Sequence, residues 1–381
     1  MLFSFYTSNE IVFGPNQIVK AGELAARFGT RAFICTRGQA MKETGMLDRL
    51  CGSLKGAGIG YEIDNLPAHE PDVDEMDTGA ERLRRSRAEV IIALGGGSTI
   101  DTGKALSGLA TNPGGIYDYL EGVGRGLALS SAALPFIAIP TTAGTGSEVT
   151  KNAVISSRTK KFKKSMRSPY MIPRIALLDP ELTLSLPPDI TAFTGMDALT
   201  QLIESYVSAR AQPLPEALAL DGISRAGAAL ERAVSDGRDL QAREQMLLAS
   251  LLSGIALANS GLGAAHGIAA ALGAHCGIAH GRACAMLLPG VMQLNLPACR
   301  GKFGRVAAAL TQNPRADAER AVFFIEQLCR RINIAAKFEP DEIPQEIVPE
   351  LVVNSRGSSM SGNPVELSDQ QIEDLIRKLL P

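Results

Sequence analysis

The sequence predicts an α/β amino-terminal domain built on a parallel sheet, followed by an all-α carboxyl-terminal domain. Three observations carry this: β-rich runs alternate with helical patterns early on, strand-like runs nearly vanish after Pro180, and 381 residues exceed one ordinary core. In the first half Arg31 to Cys35, Glu89 to Leu94 and Leu134 to Ile139 read as strands, with Asp74 to Ala88 spaced and charged as a helix between them. Such alternation makes βαβ units, and ligands of a parallel sheet gather at the carboxyl ends of its strands. In the second half Ala192 to Ser208, Leu214 to Val234, Leu240 to Asn259 and Ala316 to Ile332 are Ala/Leu-rich helical segments. The Leu186-Pro187-Pro188 turn sets the expected boundary, with residues 1–186 in the α/β domain and 187–381 in the helical one.

Composition narrows the function. Hydrophobic residues at 45% and charged residues at 20% describe a folded chain with a large core. Lys plus Arg at 38 against Asp plus Glu at 40 leaves a net charge of -2, so neither nucleic acid nor an anionic membrane is an expected partner. The amino terminus has no basic, apolar and small-residue succession, and no run of about 18 apolar residues occurs, so the expected location is cytoplasmic. The six cysteines form no CxxC pair and read as buried thiols. Histidine is scarce, with 4 in the chain. His266, His275 and His280 nevertheless fall within fifteen residues of each other.

Two glycine-rich turns and one polar helix carry the chemistry. Glu89 to Lys104 runs from a strand through Gly95, Gly96 and Gly97 into a helix, where missing Cβ atoms and free amides suit an anion such as pyrophosphate. A plain tight turn with Ser98 as N-cap is the alternative. Pro140 to Glu148 follows another strand with hydroxyls at Thr141, Thr142, Thr145 and Ser147, at the same expected end of the sheet. Asp197 and Gln201 lie four apart, hence on one helix face. A carboxylate in such apolar sequence needs a partner or a cation, and imidazoles such as His266 and His280 are common ligands for zinc and ferrous iron. A helix N-terminal carboxylate is the alternative for Asp197.

With these residues in hand, the chain resembles the iron-containing (group III) alcohol dehydrogenases. The resemblance runs from Phe13-Gly14 to Asn363-Pro364, through GGGSxxDxxK at 95–104, PTTAGTGSEVT at 140–150, LLDPELT at 177–183, GMDALT at 195–200, GLGxxH ending at His266 and a second HG at His280. It implies a Rossmann-like nucleotide domain and a helical metal and substrate domain, an architecture shared with dehydroquinate synthase. It further implies a cofactor site for NAD or NADP with Gly96, Gly97 and Ser98 on the pyrophosphate and Asp101, Thr141, Thr142, Thr145 and Lys163 around it. Asp197, Gln201, His266 and His280 would surround a divalent metal that polarises the oxygen of a small alcohol or aldehyde while hydride passes to or from nicotinamide. Relatives often form dimers or larger assemblies, which implies a homo-oligomer, a homodimer in the simplest case.

Three departures from the family pattern stand out. Gln201 replaces the usual second histidine, and its neutral amide oxygen is a weaker ligand, so iron would bind loosely. Asp197, His266 and His280 alone match some catalytic zinc sites, including those of the related glycerol dehydrogenases. Ala270 replaces a histidine credited with proton relay, which leaves solvent or a neighbour such as His275 to take over. Arg37 stands where NAD-preferring relatives often carry aspartate, which implies tolerance of NADP(H). Two other functions are compatible with the architecture: a dehydroquinate-synthase-like lyase, disfavoured by the Ala/Gly-rich metal neighbourhood, and a non-catalytic nucleotide binder.

Overall fold

The computed structural model describes residues 2–381. They divide into two compact units, one of Tyr6–Thr142 with Ser147–Ser185, the other of Leu186–Pro381 with Ala143–Gly146 and the amino-terminal residues.

The first unit is a parallel six-stranded sheet. Its strands are β1 (Glu10–Phe13), β2 (Arg31–Arg37), β3 (Gly60–Leu66), β4 (Val90–Gly95), β5 (Phe136–Pro140) and β8 (Ile175–Leu178), in the order β1-β8-β5-β4-β2-β3. A separate antiparallel ribbon pairs β6 (Asn152–Ser157) with β7 (Phe162–Arg167). The helices are α1 (Ala21–Ala26), α2 (Ala40–Glu43), α3 (Met46–Gly56), α4 (Val73–Ser86), α5 (Gly97–Thr111) and α6 (Ile116–Tyr119). Side chains alternate across a strand, so β4 sends Ile91 and Ala93 to a core with Met76, Leu83 and Leu106. Its Val90, Ile92 and Leu94 pack on the other face with Leu24, Leu50 and Leu54. Covering both faces is why the strand reads as an unbroken apolar run.

The second unit is helical: α7 (Pro188–Val207), α8 (Pro213–Ser235), α9 (Leu240–Ser260), α10 (Ala264–Cys276), α11 (His280–Thr311), α12 (Glu319–Arg331), α13 (Val348–Asn354) and α14 (Asp369–Lys378). Prolines at 187 and 188 open α7, where a missing N–H costs nothing. Pro289 and Pro297 lie inside α11, which bends with non-helical backbone at Cys299. No single helix among the described residues is long and apolar enough to cross a membrane.

The Ala143–Gly146 segment groups with the helices, whereas a single cut at 186 puts it in the α/β domain. The reason is close packing. A Cβ on Gly146, whose φ is +60°, would lie 2.4 Å from Gly254 Cα, and one on Gly144 would lie 2.8 Å from Thr194 Cβ. These glycines let backbone meet helix, a use the sequence does not distinguish from ligand contact.

Candidate active site and metal centre

Four potential ligand atoms converge in the helical unit, from Asp197 on α7, His266 on α10, and His280 and Cys284 on α11, all within 4.8 Å of one another. Asp197 Oδ1 is 3.2 Å from His266 Nε2 and 3.7 Å from His280 Nε2. The two rings lie 5.4 Å apart by their centroids. His280 begins α11 and His266 sits in the first turn of α10, so both imidazoles are placed by helix starts. Gly281 allows this approach, since a Cβ there would lie 2.3 Å from Phe193 O of α7.

Asp197 and His266 are each 3% exposed, while the His280 side chain is 28% exposed and forms the accessible side of the cluster. Glu204, two turns along α7 from Asp197, is equally deep. Its carboxylate accepts from Gly263 N at 2.9 Å, Ala265 N at 2.7 Å and His266 Nδ1 at 2.7 Å. One side chain thus caps α10 and orients the imidazole. Asn363 completes the cap by accepting from Ala264 N, and it pairs reciprocally with Asn295.

With its Nδ1 proton given to Glu204, a neutral His266 aims the Nε2 lone pair at Asp197 Oδ1. Two lone pairs facing each other at 3.2 Å repel unless a proton or another cation lies between them. Burial works against a charged His266, but Cys284, Glu204 and Asp197 outweigh it and hold the pKa well above the usual imidazole value. Burial, with Asp197 and Glu204 adding to it against His266, pushes the Cys284 thiol up to about 11. The centre is built for positive charge.

The Gln201 amide oxygen accepts from Ser253 Oγ at 2.7 Å, which ties one of its two lone pairs to α9. His275, the possible relay, sits near the far end of α10. It lies nine residues beyond His266 on α10, about 13 Å by helical rise, and its Nδ1 is 3.5 Å from Glu350 Oε1.

In the α/β unit the register pairs Gly95 with Pro140, which sets Gly96, Gly97 and Ser98 beside Thr141 and Thr142 at the carboxyl ends of β4 and β5. Gly96 is the N-cap of α5 and no side chain caps that helix end. A Cβ on Gly96 would lie 3.3 Å from Thr142 Cγ2, so the turn is narrow as well as open in its amides. Thr145 belongs to the segment that packs with the helices.

Three further residues expected at the cofactor meet protein partners. Asp101 accepts from Val154 N at 2.9 Å and from Ser147 Oγ, and ion-pairs with Lys104 at 3.1 Å. Lys104 is fully buried and donates to Ser147 O, Thr150 Oγ1 and Asn152 O. The Asp and Lys of GGGSxxDxxK therefore lock α5 to the segment leading into β6. Lys163 ion-pairs with Glu70. Arg37 spends every donor internally: Nε on Thr102, Nη1 on Pro67 O and His69 O, Nη2 on Glu75 and Thr102. The expected welcome for a second phosphate has no free N–H to offer.

Residues 8–180 match the family described as Iron-containing alcohol dehydrogenase, and residues 191–380 match Fe-containing alcohol dehydrogenase family, C-terminal. The chain belongs to the iron-containing alcohol dehydrogenase family. It is 36% identical over 324 residues to the probable alcohol dehydrogenase EutG of Escherichia coli (strain K12), covering 85% of this chain and 81% of that one. It is 30% identical to the NAD-dependent methanol dehydrogenase of Bacillus methanolicus, covering 99% and 100%. Among solved structures, a 1,3-propanediol oxidoreductase superposes with a TM-score of 0.94 at 32% identity, covering 100% of both chains.

As an iron-containing alcohol dehydrogenase, the protein is an oxidoreductase acting on CH–OH groups. Its family uses NAD(H) and a metal ion. Two residues of the centre escape a motif reading. Glu204 is seven after Asp197, and Cys284 four after His280; both spacings return to the same helix face and are the signal that could have found them.

Proposed function

We propose that the protein is an NAD(H)-dependent, metal-assisted dehydrogenase of small alcohols, or a reductase of the matching aldehydes. The observation that carries this reading is the close set of Asp197 Oδ1, His266 Nε2 and His280 Nε2 at separations of 3.2 and 3.7 Å. In a tetrahedral site with bonds of about 2.0–2.2 Å, donor atoms lie about 3.3–3.6 Å apart, so the residues present fit a divalent ion with little movement. The Gly96–Ser98 turn fits a dinucleotide through its uncapped helix amides and its missing Cβ atoms.

Bound there, the ion would supply Lewis acidity to the substrate oxygen, and the nicotinamide would take or give the hydride. The chain does the rest. Asp197, His266 and His280 hold the ion, and Glu204 fixes the tautomer and direction of His266. Gly96, Gly97 and Ser98 hold the pyrophosphate, with Thr141 and Thr142 beside them. His280, as the accessible member of the cluster, marks the side on which substrate approaches. NAD(H) is favoured over NADP(H) because Arg37 is committed to Glu75 and to backbone oxygens.

The test is NADH oxidation with a panel of short aldehydes, using metal-stripped protein with ferrous iron or zinc added back. Turnover that appears with metal and disappears in His280→Ala is the expected result. Metal-independent turnover, or an unchanged His280→Ala variant, overturns the reading.

A further inference from the structure

Cys284 has no task in the mechanism above, yet its position is not that of a packing thiol. It is fully buried and lies one turn from His280 on α11, so both side chains leave the helix on one face. Its Sγ is 3.7 Å from His280 Nε2 and within 4.8 Å of the Asp197 and His266 donor atoms. Zinc bonds of about 2.0 Å to nitrogen and about 2.3 Å to sulfur, at tetrahedral angles, set an N···S separation of about 3.5 Å. Cys329, also buried, instead turns its thiol to Ala285 O, as a structural cysteine does.

The geometry points to Cys284 as a direct ligand of the divalent ion, standing in for the amide oxygen of Gln201 that Ser253 engages. The centre is then one carboxylate, two imidazoles and one thiolate, and a substrate oxygen would join it as a fifth ligand. Sulfur is a soft donor that suits zinc, and cobalt as its spectroscopic substitute, better than ferrous iron. On binding, the S–H bond breaks, its proton leaves to solvent, and the electron pair forms the sulfur–metal bond with no change of oxidation state. This assignment rests on Asp197, His266 and His280 forming the metal site.

The test is titration of cobalt(II) alone into the metal-stripped full-length chain, followed by absorption spectroscopy. The wild type is expected to show tetrahedral ligand-field bands in the visible and a thiolate-to-cobalt charge-transfer band in the near ultraviolet. Cys284→Ser keeps the visible bands, loses the ultraviolet one and binds zinc at least about tenfold more weakly, in line with the loss of one ligand. Cys284→Ala repeats this in a second background, and Cys276→Ser leaves the wild-type spectrum intact. Visible bands that vanish in His280→Ala with no ultraviolet band in the wild type overturn the role of Cys284 and leave the metal site standing. Absence of any cobalt binding overturns both.

Discussion

Glu204→Gln separates orientation of the metal ligand from simple helix capping. In the substituted amide an NH2 group at the Oε2 position would face both Gly263 N and His266 Nδ1, and one at the Oε1 position would face Ala265 N, so either placement sets donor against donor. Losing one charged hydrogen bond of this kind costs about 1.5–3 kcal/mol. The imidazole also loses its fixed tautomer, and outer carboxylates of this type tune metal affinity about 10–100-fold, equivalent to about 1.4–2.7 kcal/mol. The assay pairs zinc titration against a competing chelator with thermal unfolding of the metal-free protein. Both quantities are expected to fall. A melting point that drops while zinc affinity stays within about twofold would show that Glu204 only caps α10, and the orientation argument would be refuted.

Three further expectations follow from single residues. Burial, only partly opposed by a backbone hydrogen bond and Lys104, raises the Glu148 pKa from 4.5 to about 7, so its stabilising contribution is full below about pH 4.5 and is lost as pH rises through 7. Denaturant unfolding across that window should show the wild type losing roughly 3 kcal/mol relative to Glu148→Gln, whereas parallel curves would remove Glu148 as the cause. Arg37→Ala leaves Glu75 with only His69 beside it, takes the donor from two carbonyls and should destabilise the protein by about 3 kcal/mol, with the NADH to NADPH preference unchanged in steady-state kinetics. Loss of NADPH turnover without loss of stability would reinstate Arg37 as a phosphate ligand. Gln201→His gives up the bond from Ser253 and places an added imidazole one turn from Asp197, which should tighten ferrous iron binding by at least about tenfold, some 1.4 kcal/mol, as read by metal competition.

The fold was legible wherever pattern and period agreed. β4 and α5 follow from an apolar run ending in glycines, and α7 to α9 from Ala/Leu spacing opened by proline. The ribbon β6–β7 was not, because Asn152–Ser157 carries only Val154 and Ile155 as large apolar residues and Phe162–Arg167 only Phe162 and Met166, and the buried Lys104 of α5 meets the first strand at Asn152 O. α11 continues through Pro289 and Pro297 because apolar packing of Leu287, Leu288, Val291 and Met292 holds the segment where local preference would break it.

At the site, motif residues identified the convergence of Asp197, His266 and His280. Asp101, Lys163 and Arg37 sit in or near motifs, yet their charges meet partners in the fold, and charge type in a sequence does not reveal which partner it meets. Glu204 and Cys284 lie outside the motif strings and become visible only through helical spacing from known neighbours.

In the proposed centre one divalent ion sits on Asp197, His266 and His280. The direct measurement is anomalous diffraction from crystals of the protein loaded with zinc or ferrous iron. One anomalous peak is expected, at about 2.0–2.2 Å from Asp197 Oδ1 and from both Nε2 atoms. A peak bound elsewhere, or none in crystals of protein that turns over aldehyde with NADH, would contradict the account.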